Sequence, residues 1–293
     1  MDGDLELVLD VKATLGEGPC WDRINQLLYW VDILEKKIYI YNPVTHVNRG
    51  IQLEQSVGSI VLRNNNKEAI LALEKGFYNL NIETEEVTLI KEIENHLPNN
   101  RFNDGKCDTY GRFWAGTMNK FYAKEQSALY CLDPNMNVQK KLDKVSLSNG
   151  IAWSPDNKYM YYIDTLHKNV CRFSYNIASG NIENPNIIIK FPDGEGMPDG
   201  MTVDEEGMLW IAHWGGSKVS RWNPKTGKQI HAIEVPALHV TSCTFGGKDL
   251  NELYITTART GLNKEQLENY PFSGGIFKIK TAVRGIPSFV FKG

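Results

Sequence analysis

A repeat with a period of about 40 to 50 residues runs through the sequence and limits the fold more than any other feature. Each unit opens with a small residue and a short apolar strand, followed by a polar turn and a second strand rich in aromatic residues. Such a period is typical of four-stranded propeller blades. The six units begin at Gly18, Gly58, Gly105, Gly150, Gly200 and Ser242.

Short strand signals, rich in β-branched and aromatic residues, dominate the whole sequence. Leu27 to Asp32 and Tyr159 to Asp164 are two of them, and only residues 263–269 predict a helix. A single blade cannot bury both faces of its sheet, whereas six blades around an axis bury each face against a neighbour. The sequence therefore predicts an all-β, six-bladed β-propeller in which residues 1–293 form one domain. We expect residues 5–11 to add a strand to the last blade and close the ring.

Composition argues against several classes of partner. The net charge is −3 and no basic block occurs, so we expect no nucleic-acid partner. No stretch approaches the roughly 20 apolar residues of a membrane span, and the first residues do not resemble a secretory signal. The five cysteines are scattered without a CxxC pair, which predicts reduced thiols and a cytoplasmic location. No obligate protein partner is evident.

Polar side chains stand beside a glycine at the start of four predicted inner strands. The set is Glu17, Asn103, Asn149 and Asp199. If the ring closes, these side chains point at one axis. Two carboxylates and two amides form an oxygen-rich set suited to Ca²⁺, Mg²⁺ or Mn²⁺. Each Asn-Gly or Asp-Gly pair alone also fits a hairpin turn, but the recurrence at one blade position favours a shared site. Asp104 is interpreted as a support for Asn103 or as a turn cap.

Several longer stretches carry a family resemblance. They are LGEGPCWD, NDGKCDTYGRFWAGTM, SNGIAWSPDNKYMYYIDT, PDGMTVDEEGMLWIAHWGG and VTSCTFGGKDLNELYITTAR. Together they resemble the SMP-30/gluconolactonase/regucalcin family, in the family's order, from about Gly16 to Arg259. The resemblance implies a six-bladed propeller that holds one divalent metal ion and hydrolyses a sugar lactone as its small-molecule substrate.

The resemblance also implies roles for individual residues. It makes Glu17, Asn149 and Asp199 metal ligands and makes Asp199 the general base. Arg101 and Asn103 are implied to contact the substrate, and Asn103 to reach the metal directly or through water. Ca²⁺ is the first expectation for the ion, with Zn²⁺, Mg²⁺ and Mn²⁺ as alternatives.

One segment departs from the family pattern and leaves the identity of the lactone open. Regucalcin-like members carry acidic residues and a longer loop after AGTM, whereas residues 119–124 here are short, aromatic and basic. Two other functions therefore stay in play. One is a non-catalytic Ca²⁺-binding regulatory protein. The other is a related propeller esterase or organophosphate hydrolase, which would have a wider and more apolar pocket; the aromatic side chains of Phe121 and Tyr122 are compatible with such a pocket. His213 and His239 are secondary candidates for catalysis or substrate contact.

Overall fold

Antiparallel strands make up nearly all of the regular structure in the computed structural model, which describes residues 2–65 and 67–293. The first twelve strands are β1 (Glu6–Leu9), β2 (Gly16–Asp22), β3 (Leu27–Asp32), β4 (Lys37–Tyr41), β5 (Asn48–Gln52), β6 (Val57–Leu62), β7 (Glu68–Leu73), β8 (Gly76–Asn81), β9 (Val87–Glu92), β10 (Asn100–Cys107), β11 (Phe113–Asn119) and β12 (Ser127–Leu132). The next twelve are β13 (Val138–Val145), β14 (Ser148–Trp153), β15 (Tyr159–Asp164), β16 (Asn169–Asn176), β17 (Asn181–Lys190), β18 (Met197–Val203), β19 (Leu209–Trp214), β20 (Lys218–Asn223), β21 (Lys228–Glu234), β22 (His239–Gly246), β23 (Glu252–Ala258) and β24 (Ile276–Lys280). The predicted all-β class is confirmed.

Within residues 2–65 and 67–293, helical structure is confined to two short segments. The helix α1 (Lys264–Asn269) lies in the predicted region, and Asn263 begins it because its side chain accepts a hydrogen bond from the Gln266 backbone N–H. A 3₁₀ turn at Thr165–His167 was not predicted. It directly follows β15, so it lies at the end of a strand beside the cavity described below.

The strands are arranged in four-stranded antiparallel runs. Four of these runs are separate sheets, β2–β5, β6–β9, β10–β13 and β14–β17. An eight-stranded sheet contains two more, β18–β21 and β22–β24 completed by β1, joined where Trp214 pairs with His239. Strand β1 pairs with β24, which confirms that the predicted N-terminal segment adds a strand to the last run.

The first strands of the runs pack against one another in a cycle. Each of β2, β6, β10, β14, β18 and β22 contacts the first strand of the next run, and β22 contacts β2. Every residue of β6 and β14 is buried, whereas most of β13 and β21 is exposed or half-buried. Polar side chains on the first strands are therefore enclosed by the fold.

A repeated Asp–Trp pair ties turns to the packing between runs. Trp114 Nε1 donates to Asp108 Oδ2 at 2.9 Å, and Trp210 Nε1 donates to Asp204 Oδ2 at 2.8 Å. Trp114 also packs edge to face on Trp153 of the next run, with ring centroids 5.9 Å apart. These tryptophans are buried in apolar clusters.

The five cysteines are all free, in agreement with the prediction of reduced thiols. Within the described ranges, no helix is long and apolar enough to cross a membrane.

Candidate functional site

A cavity of about 440 Å³ opens where the first strands meet. Its lining includes the five side chains predicted to form a site, Glu17, Arg101, Asn103, Asn149 and Asp199. They come from β2, β10, β14 and β18, and none is more than 7% exposed. The structure thus brings together polar residues that lie far apart in the sequence.

Register shifts in the first strands aim these side chains. The regular pairing is interrupted beside Glu17 in β2, beside Asn149 in β14 and beside Asp199 in β18. A bulge breaks the alternation of side chains and bends the strand locally, so it can turn one residue out of the normal phase. The bulges, and not hairpin turns, present the polar residues to the cavity.

The glycines that follow the polar residues have two different roles. Gly18 adopts a φ of 53°, in the left-handed region that favours glycine. At Gly200 the requirement is space, because a Cβ there would lie 2.1 Å from Ser242 Oγ. Gly18 therefore permits a backbone conformation that other residues rarely adopt, whereas Gly200 allows two first strands to approach each other.

A chain of hydrogen bonds crosses the cavity in one direction. Arg101 Nη1 donates to Asn103 Oδ1 at 2.8 Å, and Asn103 Nδ2 donates to Asn149 Oδ1 at 3.0 Å. Asn149 Nδ2 donates to Thr165 Oγ1 at 2.8 Å, and Thr165 Oγ1 donates to the Pro198 carbonyl at 2.7 Å. A guanidinium can only donate and a carbonyl can only accept, so the direction of every bond between them is fixed.

Three carboxylates are buried close to one another. Burial raises the pKa of Glu17 and of Asp199 above the ordinary range, and the neighbouring carboxylates raise both further. Burial also raises the pKa of Asp104. Glu17 and Asp104 each accept a hydrogen bond from the N–H of the glycine that follows, at 2.9 and 2.7 Å. A cation placed among them would favour their ionised forms.

Asp104, interpreted from the sequence as a support for Asn103 or as a turn cap, accepts a hydrogen bond from the Gly105 backbone N–H at 2.7 Å. Its carboxylate contributes to the electrostatics of Glu17 and Asp199, whereas Arg101 and Asn149 are the side chains that hold Asn103. The sequence contained the signal that identifies it. Asp104 directly precedes Gly105, just as Glu17 directly precedes Gly18, whereas Asn103 stands one residue earlier.

Two positively charged side chains, Arg101 and Lys106, partly offset the charge of the three carboxylates. Burial lowers the pKa of Arg101 to about 10, and the Lys106 ammonium donates to the Met201 carbonyl at 2.6 Å. Among residues 2–65 and 67–293, no three His, Cys, Asp or Glu side chains are placed to hold an ion by themselves. A set of carboxylate oxygens completed by the amide oxygen of Asn149 nevertheless fits a hard divalent cation.

The cavity is also lined by apolar side chains. They are Leu15, Leu34, Met118, Leu147, Leu166, Met197 and Trp214. The divergent segment 119–124 contributes Lys120, whose ammonium lies 2.7 Å from a Glu74 carboxylate oxygen, and Tyr122, which is 60% exposed. This segment therefore forms part of the mouth of the cavity.

The two histidines proposed as secondary candidates contact residues outside the predicted set. His213 is outside the lining of the cavity and contacts the Glu195 carbonyl at 2.7 Å and Ser220 Oγ at 2.5 Å. His239 stacks on Trp214, with ring centroids 4.0 Å apart. Burial lowers the pKa of each histidine to about 4, so both are neutral near pH 7.

The fold and the cavity define an all-β protein of the propeller type with an oxygen-lined pocket where the first strands meet. The chain belongs to the family described as SMP-30/gluconolactonase/LRE-like, whose model matches residues 15–259. It is 40% identical over 290 residues to a putative sugar lactone lactonase, YvrE, of Bacillus subtilis (strain 168), and covers 99% of both chains. It is also 40% identical over 295 residues to regucalcin of Oryctolagus cuniculus, covering 99% of this chain and 98% of the relative.

A solved structure shares this architecture over nearly its full length. It is a calcium-binding protein, regucalcin, from Agrobacterium tumefaciens str. C58, with a TM-score of 0.95 and 26% sequence identity. The alignment covers 99% of this chain and 98% of that one.

Proposed function

We propose that the chain hydrolyses a sugar lactone with one divalent cation held by Glu17, Asn149 and Asp199. The observation that carries this proposal is the convergence of these buried oxygen-bearing side chains, with Arg101 and Asn103, on one cavity. Membership of the family and the likeness to a putative sugar lactone lactonase support the reaction. The likeness to a calcium-binding regucalcin supports Ca²⁺ as the first choice of ion, with Zn²⁺, Mg²⁺ and Mn²⁺ as alternatives.

The proposal includes the arrangement of the whole chain. We infer that the runs are the six blades of one propeller domain spanning residues 1–293, with the cavity at its axis. The cyclic packing of the first strands and the pairing of β1 with β24 support this inference.

Hydrolysis of a lactone, which is a cyclic ester, requires a polarised carbonyl and a nucleophilic water. A bound divalent cation supplies Lewis acidity and lowers the pKa of a bound water. Asp199 accepts the proton of the attacking water as the general base. The Arg101 guanidinium binds sugar hydroxyls or the developing carboxylate through its planar set of donors. Asn103, held by Arg101 at 2.8 Å, orients the ring of the substrate.

A second candidate is a non-catalytic Ca²⁺-binding protein. Buried carboxylates with raised pKa values favour a cation whether or not chemistry follows. The relatives named regucalcin fit this reading as well as the enzymatic one. Turnover of a lactone separates the two candidates.

A third candidate is an esterase of the same architecture acting on aryl esters or organophosphates. The apolar side chains that line the cavity, with the aromatic ring of Trp214, favour a substrate with an apolar part. An aryl ester would bury that part against these side chains, whereas a sugar lactone would use mainly the polar ones.

The test of these candidates is a hydrolysis assay on metal-free protein reloaded separately with Ca²⁺, Mg²⁺, Mn²⁺ and Zn²⁺. The substrates are a panel of aldonolactones, an aryl ester and an organophosphate. We expect acid release from at least one aldonolactone that a chelator abolishes and the reloaded ion restores. Ion binding without turnover of any substrate would favour the Ca²⁺-binding protein, and faster turnover of the aryl ester or the organophosphate would favour the esterase.

A further inference from the structure

We propose that Thr165 is a positioning residue that keeps the amide of Asn149 turned with its oxygen available to the cation. The proposal rests on the proposed function, because it takes Asn149 as a ligand. Thr165 is 3% exposed, lines the cavity and opens the 3₁₀ turn that follows β15. It was not among the residues that the sequence indicated.

The direction of two hydrogen bonds fixes this orientation. The Thr165 hydroxyl has one proton, and the Pro198 carbonyl, 2.7 Å away, can only accept it. Toward Asn149, 2.8 Å away, the hydroxyl therefore acts as an acceptor, so Asn149 must present its NH₂ group to Thr165. The amide oxygen then lies on the opposite side of the group.

The same orientation is required from the other side of the amide. Arg101 turns the oxygen of Asn103 toward itself, so Asn103 presents Nδ2 to Asn149 Oδ1 at 3.0 Å. Asn103 Nδ2 also donates to the Ser148 carbonyl at 2.8 Å, so Asn103 and Thr165 each connect the Asn149 amide to a backbone carbonyl. Loss of the Thr165 hydroxyl removes one of these two restraints and lowers the cost of rotating the Asn149 amide by about half a turn, which would face the cavity with NH₂, a group that cannot bind a cation.

Thr165 also connects two of the proposed ligands. Its hydroxyl bonds to the side chain of Asn149 on β14 and to the carbonyl of Pro198, the residue directly before Asp199 on β18. The Thr165 hydroxyl therefore connects the Asn149 amide to the backbone segment that carries Asp199. Groups of this kind outside the ligand set typically change metal affinity by about 10- to 100-fold when removed.

The test compares Thr165→Val, which removes the hydroxyl at similar volume, with Thr165→Ser, which retains it. Thr281→Val is the matched control, because Thr281 is 4% exposed, donates to the Val283 carbonyl at 2.7 Å and does not line the cavity. Affinities of the metal-free proteins for Ca²⁺ and Mn²⁺ are measured by titration calorimetry. We expect about 10- to 100-fold weaker binding for Thr165→Val, and affinities within about threefold of wild type for the other two variants.

Equal affinity of Thr165→Val and wild type would overturn the proposal, as would equal weakening by Thr165→Val and Thr281→Val. If Thr165→Val does not fold, Thr165→Ala takes its place with the same expected weakening. The lactone assay on the wild type is independent of this comparison. Absence of turnover with a selective loss of affinity in Thr165→Val would reject the lactonase and keep the positioning role.

Discussion

Burial determines the charge state of several single side chains, both in the cavity and outside it. It raises the pKa of Glu17 and Asp199 and lowers the pKa of His213 and His239. Both effects have one cause, since a low-dielectric environment disfavours the charged form of either type of group. The carboxylates are therefore stabilised in their ionised form by a cation, whereas the histidines stay neutral near pH 7.

The neutral state of His213 makes stability depend on pH. Its pKa is about 4 in the folded chain, below the unperturbed value of about 6.5, so the folded state binds fewer protons between these values. The free energy of unfolding therefore falls as the pH is lowered from about 6.5 to about 4, by about 1 to 3 kcal/mol from this residue. Urea unfolding of wild type and His213→Gln at pH 7 and pH 4.5 measures this contribution.

The variant supplies its own control, because His239 and the carboxylates titrate in both proteins. His213→Gln loses the contacts to Glu195 and Ser220, so we expect it to be less stable than wild type at pH 7. The gap should narrow at pH 4.5. A gap of the same size at both pH values would show that His213 is not held neutral by the fold.

At the scale of the elements, an aspartate at the end of the second strand has the same role in two of the four-stranded runs. Asp32, the last residue of β3, accepts from the backbone N–H groups of Thr14 and Leu15 at 2.7 and 3.1 Å. Asp164, the last residue of β15, accepts from Ser146 and Leu147 at 2.8 and 3.0 Å. In both cases the second N–H lies two residues before a proposed ligand, Glu17 or Asn149. Each carboxylate thus fixes the entry to a first strand.

Replacing either carboxylate by an amide should destabilise the chain. Asn has one acceptor oxygen instead of two, so Asp32→Asn and Asp164→Asn each leave one buried N–H poorly paired, at a cost of about 1 to 3 kcal/mol. Asp193→Asn is the control, because the Asp193 side chain is 95% exposed and its replacement should leave stability close to that of wild type. Urea unfolding at pH 7 measures all three, and equal effects would contradict the assigned role.

The sequence predicted the elements well because their signals are local. Tyr159 to Asp164 forms a strand with the predicted bounds, since alternation and turn residues are both visible in a short window. The sequence also showed that Glu17, Asn149 and Asp199 carry side-chain oxygens and stand at the same position, before a glycine, at the start of their repeat units. The bulges were not, because register depends on pairing with another strand. The orientation of Asn149 and the part played by Thr165 depend on contacts between runs, which no local pattern encodes.

At the scale of the whole molecule, the proposed ligands lie on first strands of three different runs. Glu17 is on β2, Asn149 on β14 and Asp199 on β18. A cation bound by all three would connect these runs, in addition to the closure that β1 makes with β24. Ion binding should therefore stabilise the folded chain as a unit. The cytoplasmic location inferred from the scattered cysteines stays a prediction.

The most direct measurement follows thermal unfolding and lactone turnover together, in wild type and Asp199→Ala, with and without Ca²⁺. In wild type we expect an ion concentration of 100 times Kd to add about 2.7 kcal/mol to the free energy of unfolding. In Asp199→Ala we expect most of this stabilisation to disappear and turnover to fall by about three decades, since a ligand and a base are lost together. Asp193→Ala, on the exposed surface, should behave as wild type. Undiminished turnover and undiminished stabilisation by the ion in Asp199→Ala would contradict the proposed site.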